Sequence, residues 1–314
     1  MKVFQDVSNG FTAKFPVVTI GTFDGVHLGH QKILQKINKE AKKVGGESVL
    51  FTFHPHPRIV LNPENHNLKL LQTQEEKIEK LARFGLQNLI IYPFTTDFSN
   101  LTALEFVRDI LVEKIKVKTL VIGYDHQFGK NREGGIEFLQ SVSEEFGFSV
   151  IEIPAQELDD VNVSSTKIRN ALLEGNISLA NSFLTESFEL RGKVIKGEAL
   201  GRKFGFPTAN IDLETDLKLI PRNGVYAVEV SLMDDRLYKG IMNIGSRPTI
   251  HKNGQLSIEV HLLDFNEDLY GQKIRVQFLE NIRNERTFSN TDELIEQIKK
   301  DEKHARSIFA AHTL

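Results

Sequence analysis

The chain contains no cysteine. A disulfide framework, a thiolate zinc site and a cysteine nucleophile are therefore excluded. A strong charge of either sign is also missing: Lys+Arg 39 against Asp+Glu 42 leave a formal net charge of -3. Such a balance offers no bulk attraction to nucleic acid or an anionic membrane, so phosphate binding must come from local arrangements. Long apolar runs are absent too. Stretches such as Thr119–Ile122 and Asn88–Phe94 have strand length, far short of the ~20 residues that span a bilayer. The opening Met1–Asp6 lacks the apolar stretch of a signal peptide, which makes a cytoplasmic protein the expectation. Sequons at Asn100, Asn162 and Asn176 then carry little weight. There is no internal repeat and no low-complexity tract.

What is present suits two globular domains: 314 residues, 40% hydrophobic and 26% charged. Through about residue 185, short apolar runs alternate with helical patterns. Strands are expected at Pro16–Ile20, Ser48–Phe53, Asn88–Tyr92, Lys118–Gly123 and Phe148–Ile153. Between and after them come helices over about Gly29–Lys43, Thr73–Gly85, from Thr102 onward, Gly135–Phe146 and Ser165–Glu174. Thr73 with Glu76 and Thr102 with Glu105 form capping-box patterns. This alternation predicts a parallel sheet covered by helices. After about Ser187 the period changes to two, in runs at Phe188–Ile195, Val225–Met233, Leu237–Ile244, Ser257–Leu263 and Ile274–Leu279. That pattern predicts an antiparallel sheet closed into a small barrel, with a final helix over about Asn290–Ala311. The fold class is α/β with a C-terminal β-barrel, divided as 1–185 and 186–314.

Two segments carry phosphate chemistry. In Gly21–His30, several glycines and two imidazoles stand where a strand turns into a helix, a junction whose free N–H groups and dipole suit anions. His27 and His30, three apart, can point the same way; an incidental pair or a two-His metal site are the alternatives for the bare spacing. Ser165, Thr166 and Arg169 share one side of a helix start, where hydroxyls are commonly N-caps, and the Arg one turn later makes an anion clamp. Gly123–Lys130 imitates a P-loop, but Asn131 stands where Ser or Thr is required, so Walker A is rejected. Asp125 lies at the C-terminal end of a strand, where α/β sheets place ligand contacts. His54, Pro55 and Pro57 sit at the end of another strand on that edge.

The second segment is Gly201–Asn210. Thr208 and Asn210 are two apart, so on a strand they share a face, and both offer hard oxygen ligands suited to Mg²⁺. Gly201, Gly205 and Pro207 before them suggest a shaped loop able to lie over phosphates, although a polar strand face beside a Gly/Pro turn is more commonly plain surface. By periodicity, Glu259 shares an outer strand face with Ser257 and His261, while Ile258, Val260 and Leu262 form the core face.

Gly21–His30, Gly123–Gly134 and Val163–Arg169 resemble the motifs of nucleotidylyltransferases with a His-x-Gly-His signature. More narrowly, they resemble the FAD synthetase module of the bacterial bifunctional riboflavin kinase/FAD synthetases. Gly201–Asn210, Asn223–Val228, Asn243–Thr249 and Ile258–Leu263 resemble that family's riboflavin kinase domain, and the tail Ile282–Arg286 with the terminal helix also matches. The resemblance implies a Rossmann-like nucleotidylyltransferase domain that moves AMP from ATP onto FMN, and a barrel that phosphorylates riboflavin with ATP. By it, His27 and His30 stabilise ATP phosphates, and Ser165, Thr166 and Arg169 hold the triphosphate. Asp125 lies near metal or nucleotide, and Gly21, Phe23 and Gly29 complete that ATP site. His54, Pro55 and Pro57 fall to flavin. In the barrel, Gly201, Arg202, Pro207, Thr208 and Asn210 bind ATP, the last two with Mg²⁺, and Glu259 activates the ribityl hydroxyl. His126 stands where the family often has an aromatic residue. The implied partners are riboflavin, FMN and ATP, with no nucleic acid or membrane, in a monomer or homo-oligomer. A single-activity enzyme and a flavin-sensing RNA-binding regulator are the rival readings.

Overall fold

A computed structural model describes all residues except 8–9, 65–66, 156–162, 198–200, 202–203, 247–255 and 313–314. Arg202, the Asn162 sequon and residues 247–249 of one motif lie outside the described residues. The chain forms two compact units, Met1–Ser165 and Thr166–Leu314.

The first unit holds one sheet with strands β1 (Lys2–Phe4), β2 (Val17–Ile20), β3 (Ser48–His54), β4 (Asn88–Pro93), β5 (Thr119–Gly123) and β6 (Ser149–Ile153). Their order is β1-β4-β3-β2-β5-β6, and every pair is parallel. Both faces are buried. Val18, Val49, Phe51, Ile90 and Leu120 belong to one core, while Val17, Leu50, Leu89, Ile91 and Val121 belong to the other. This is why the strands read as unbroken apolar runs rather than as alternation. Helix Leu28–Val44 buries Leu34, Ile37 and Ala41 and ends at a left-handed Gly45. Helix Gln74–Arg83 opens on the expected Thr73–Glu76 capping box. The Thr102–Glu105 box is also formed, but the helix it opens continues in π geometry over Phe106–Val112. The strand order reverses at β2, whose neighbours are β3 and β5. Ligands of open α/β sheets bind at such a switch point, beyond the carboxyl ends of the strands. The loops that leave β2 and β5 there are the two glycine-bearing segments, Gly21–His30 and Gly123–Gly134.

The second unit is a closed barrel of β7 (Glu189–Ile195), β8 (Ala209–Leu213), β9 (Gly224–Leu232), β10 (Leu237–Ser246), β11 (Leu256–Leu262) and β12 (Lys273–Asn284). The order is β10-β11-β8-β7-β12-β9, closed by β9 against β10. Val228, Val230, Met242, Ile258, Val260, Val276 and Phe278 are buried, as the period-two runs require. Helix Thr291–His312 covers Ala227 and Leu279 with Ala305, Ile308 and Phe309. It is tied down by Arg283, which donates to both oxygens of the buried Asp301 at 3.1 and 2.9 Å. Helices Ser165–Glu174 and Ile177–Leu184 precede the barrel. The latter is fastened to β12 by Asn181 Nδ2, which donates to the Phe278 carbonyl at 2.8 Å.

Candidate active sites

The loop after β2 is tightly determined. Phe23 (φ 49°), Gly25 (φ 89°) and Val26 (φ 40°) all occupy the left-handed region. Glycine does so freely, but a β-branched valine does not, and each such residue costs on the order of 1–3 kcal/mol. Burial of Phe23 and Val26 in the sheet's helical core offsets that strain. Donors reach the loop's carbonyls from several elements. The Thr22 oxygen accepts from Lys77 Nζ at 2.9 Å and Thr52 Oγ1 at 3.2 Å. Asp24 O accepts from Ser165 Oγ at 2.9 Å, Gly25 O from Lys80 Nζ at 3.0 Å, and Val26 O from Gln31 Nε2 at 2.9 Å. The buried Asp24 carboxylate accepts from the amides of Leu71 and Gln72, fixing a further segment to the loop.

His27 and His30 do point the same way. Their rings stack at a centroid distance of 3.7 Å and an angle of 21°, and Phe23 stacks on His30 at 4.5 Å. A side chain at Gly29 would bring its Cβ to 3.3 Å from His27 Cε1, so glycine leaves that ring its place. Burial holds the His30 imidazole well below its ordinary range, with His27, Lys77 and Lys80 acting in the same direction. His30 Nδ1 is a buried atom with no hydrogen-bond partner among the described residues. An anion supplied by a ligand would relieve both conditions.

The other first-unit residues spread along the same sheet edge. Asp125 is exposed just beyond β5. Beside it, burial pushes His126 down to about 4, partly opposed by the Asp125 carboxylate. His54 ends β3, with burial and then Lys77 lowering its pKa. Pro55 follows it, and Pro57 opens the short helix Pro57–Leu61. Ser165 meets the loop through Asp24. Thr166, exposed, and Arg169, half-buried, follow on the same helix but belong to the second unit.

In the barrel, Glu259 of β11 stands opposite Asn210 of β8 and Asn243 of β10. Directly opposed residues share a face, so the carboxylate and both amides line up outside the barrel. Glu259 is half-buried rather than freely exposed. Its Oε2 accepts from Thr208 Oγ1 at 3.0 Å and its Oε1 from Ser257 Oγ at 2.8 Å. His261 Nδ1 lies 2.7 Å from the Pro207 carbonyl oxygen. Gly197 and Gly201 allow close approach: a Cβ at the first would collide with the Asn210 amide, and at the second with the Phe206 carbonyl. Pro207, Thr208 and Asn210 line a cleft of ≈ 420 Å³ whose far side is Phe265–Tyr270. That segment, like Lys77 and Lys80, escaped sequence reasoning. Its aromatic ends, Phe265 and Tyr270, are the only signal it offers.

Two family models cover the chain: FAD synthetase over residues 12–167 and riboflavin kinase over residues 184–309. The bifunctional riboflavin kinase/FMN adenylyltransferase of Buchnera aphidicola is 40% identical over 294 residues, 93% of either chain. The chain belongs to the bifunctional riboflavin kinase/FMN adenylyltransferase family. It carries both activities, with the FAD synthetase match over the parallel sheet and the riboflavin kinase match over the barrel. The Escherichia coli K12 relative of the same description is also 40% identical, over 93% of this chain and 92% of that one. A solved structure described as a macrolide-efflux protein from Streptococcus pneumoniae superposes with a TM-score of 0.87 at 33% identity. It covers 97% of this chain and 98% of that one. Among the described residues, no helix here is long and apolar enough to cross a membrane.

Proposed function

We propose that the two reactions run at separate centres, adenylyl transfer at the loop after β2 and phosphoryl transfer on the outer face of β8 and β11. In the first, a phosphate oxygen of FMN attacks the α-phosphorus of ATP, the bond to the β-phosphate oxygen breaks, and pyrophosphate leaves. The nucleophile is already largely ionised, since a phosphomonoester's second pKa is about 6, so the site has no need of a base. His27, His30 and the loop with Gly21, Phe23 and Gly29 steady the charge gathering on the phosphates. Ser165, Thr166 and Arg169 hold the triphosphate, Asp125 lies toward the nucleotide, and His54, Pro55 and Pro57 lie toward flavin. The observation that carries this reading is the stacked imidazole pair at a helix head on the switch point.

In the second reaction, the ribityl hydroxyl attacks the γ-phosphorus, Glu259 accepts its proton, and ADP departs. An alcohol's very high pKa makes a placed carboxylate valuable there. Support comes from the contact of Thr208 with Glu259 at 3.0 Å, beside a cleft large enough to receive a nucleotide. The donor set fits Mg²⁺ arriving with nucleotide: Thr208 and Asn210 offer oxygens, and no cluster of three His, Cys, Asp or Glu exists among the described residues to hold a metal alone. When bound, the ion neutralises phosphate charge. Gly201, Arg202 and Pro207 belong to the same nucleotide site.

We place the functional boundary at 185/186, just inside the start of the riboflavin kinase match at residue 184. The protein acts in the cytoplasm on riboflavin, FMN and ATP, as a monomer or homo-oligomer, without nucleic acid or membrane. Incubating it with riboflavin, ATP and Mg²⁺ and separating the flavins tests the reading. FMN and then FAD are expected, and chelating the metal should stop both. Flavin that emerges unphosphorylated refutes it.

A further inference from the structure

Lysines buried inside a domain demand an explanation, because desolvating an ammonium is costly unless it meets good acceptors. Helix Gln74–Arg83 buries two, Lys77 at 7% exposure and Lys80 at 1%. They fall on one stripe with Leu81, where a core helix would normally carry apolar side chains. Lys77 Nζ donates to the Thr22 carbonyl at 2.9 Å and Lys80 Nζ to the Gly25 carbonyl at 3.0 Å. Thr22 O is the sole hydrogen-bond acceptor of the Lys77 ammonium among the described residues. Burial lowers its pKa, and the Asp24 carboxylate opposes that shift.

The consequence lies on the other edge of each peptide. In a trans peptide the C=O of one residue and the N–H of the next point in opposite directions. Lys77 holds the Thr22 carbonyl, so the Phe23 amide faces away from it. Ser165 holds the Asp24 carbonyl, so the Gly25 amide does likewise. Lys80 holds the Gly25 carbonyl, and the Val26 amide closes the turn onto Phe23 O at 3.3 Å. The amides of Phe23 and Gly25, together with those of Leu28 and Gly29 at the helix head, have no acceptor among the described residues. The loop is thus held by its carbonyls, with donors left for an anion.

We infer that Lys77, supported by Lys80, is a positioning residue for adenylyl transfer: its ammonium pins the Thr22 carbonyl so that the Phe23 amide meets the nucleotide phosphates. A charged donor makes the stronger bond, and its field beneath the loop favours the anion bound above. This rests on the reading that the loop after β2 binds the ATP phosphates.

The test uses the full-length protein with Lys77→Met, Lys77→Arg and Lys80→Met, following both half-reactions. Losing the pin should displace donors that act on the transition state, so kcat for FAD formation should fall about 100-fold. KM for FMN and the riboflavin kinase rate should stay within a few-fold of the parent. Lys77→Arg, which keeps a charged donor, should recover at least tenfold of the loss. A folded Lys77→Met protein with FAD-forming kcat within twofold of the parent overturns the inference. So do equal losses in Lys77→Met and Lys77→Arg, which would mark a lysine needed only for packing. If Lys80→Met fails to fold, the Lys77 pair decides alone. A parent protein that makes FMN but no FAD refutes instead the assignment of the loop, and the inference with it.

Discussion

The two proposed centres are built on opposite plans. In the first unit the chemistry belongs mainly to backbone and imidazole: a strained loop between β2 and helix Leu28–Val44, carbonyls held by buried donors, and two stacked histidines. In the barrel it belongs to side chains on one strand face, with Glu259, Asn210 and Thr208 set by register and a 3.0 Å hydrogen bond. The difference follows the nucleophile. A phosphate that is already an anion needs placement and donors. A neutral alcohol needs a base beside it. On the proposed assignment the barrel site therefore rests on one carboxylate, whereas the sheet site spreads its work over many donors.

That comparison predicts unequal fragility. Glu259→Gln should lower riboflavin phosphorylation about 1,000-fold while conversion of added FMN to FAD is unchanged. His27→Ala or Arg169→Ala should lower FAD formation about 100-fold or more and leave the kinase at parental rate. Initial rates of each half-reaction on the purified variants decide the matter. Loss of both activities in either folded variant would break the separation of centres. Thr208→Val removes one oxygen beside Glu259 and should have a smaller effect, about tenfold on kinase rate, from loss of one charge-linked hydrogen bond. A raised Mg²⁺ requirement in the kinase titration would assign that oxygen to the metal. An unchanged requirement would leave Thr208 as a support for Glu259 alone.

The legible parts of this molecule are those in which one local rule decides the outcome. Parity placed Glu259 with Ser257 and His261 on the outer face of β11, and spacing placed His27 beside His30. Capping boxes and glycine marked helix ends, as at Thr73 and Gly85 on either side of helix Gln74–Arg83. What escaped depends on tertiary partners. Strand β1, Lys2–Phe4, is short and largely exposed, and carries no period to read. The strand expected at Thr208–Asn210 is formed as β8, but it starts at Ala209 and leaves Thr208 outside, after a stretch rich in glycine and proline. Helix Ile177–Leu184 hid behind a sequon whose Asn176 is in fact its cap, accepting from the Leu179 amide. Lys77 and Lys80 look like solvent-facing charges until a loop is found to lay its carbonyls over them.

The comparison also predicts different acid sensitivity. Among the described residues the first unit holds three histidines with depressed pKa values, His30, His54 and His126, the last at about 4 and all shifted chiefly by burial. In the unfolded chain each titrates near 6.5. Between those values the unfolded state binds the extra proton and the folded state does not, so stability falls as pH falls. For His126 the loss begins near pH 6.5 and is complete by about 4. Its size is up to about 3 kcal/mol, at 1.36 kcal/mol per pKa unit. His126→Phe has nothing to protonate and places an aromatic ring beside Phe128, which His126 now faces at 6.0 Å. Thermal melts of parent and variant between pH 7 and 4.5 should therefore diverge, the variant losing less stability with acid. Parallel curves would show that burial at this position does not hold the imidazole neutral.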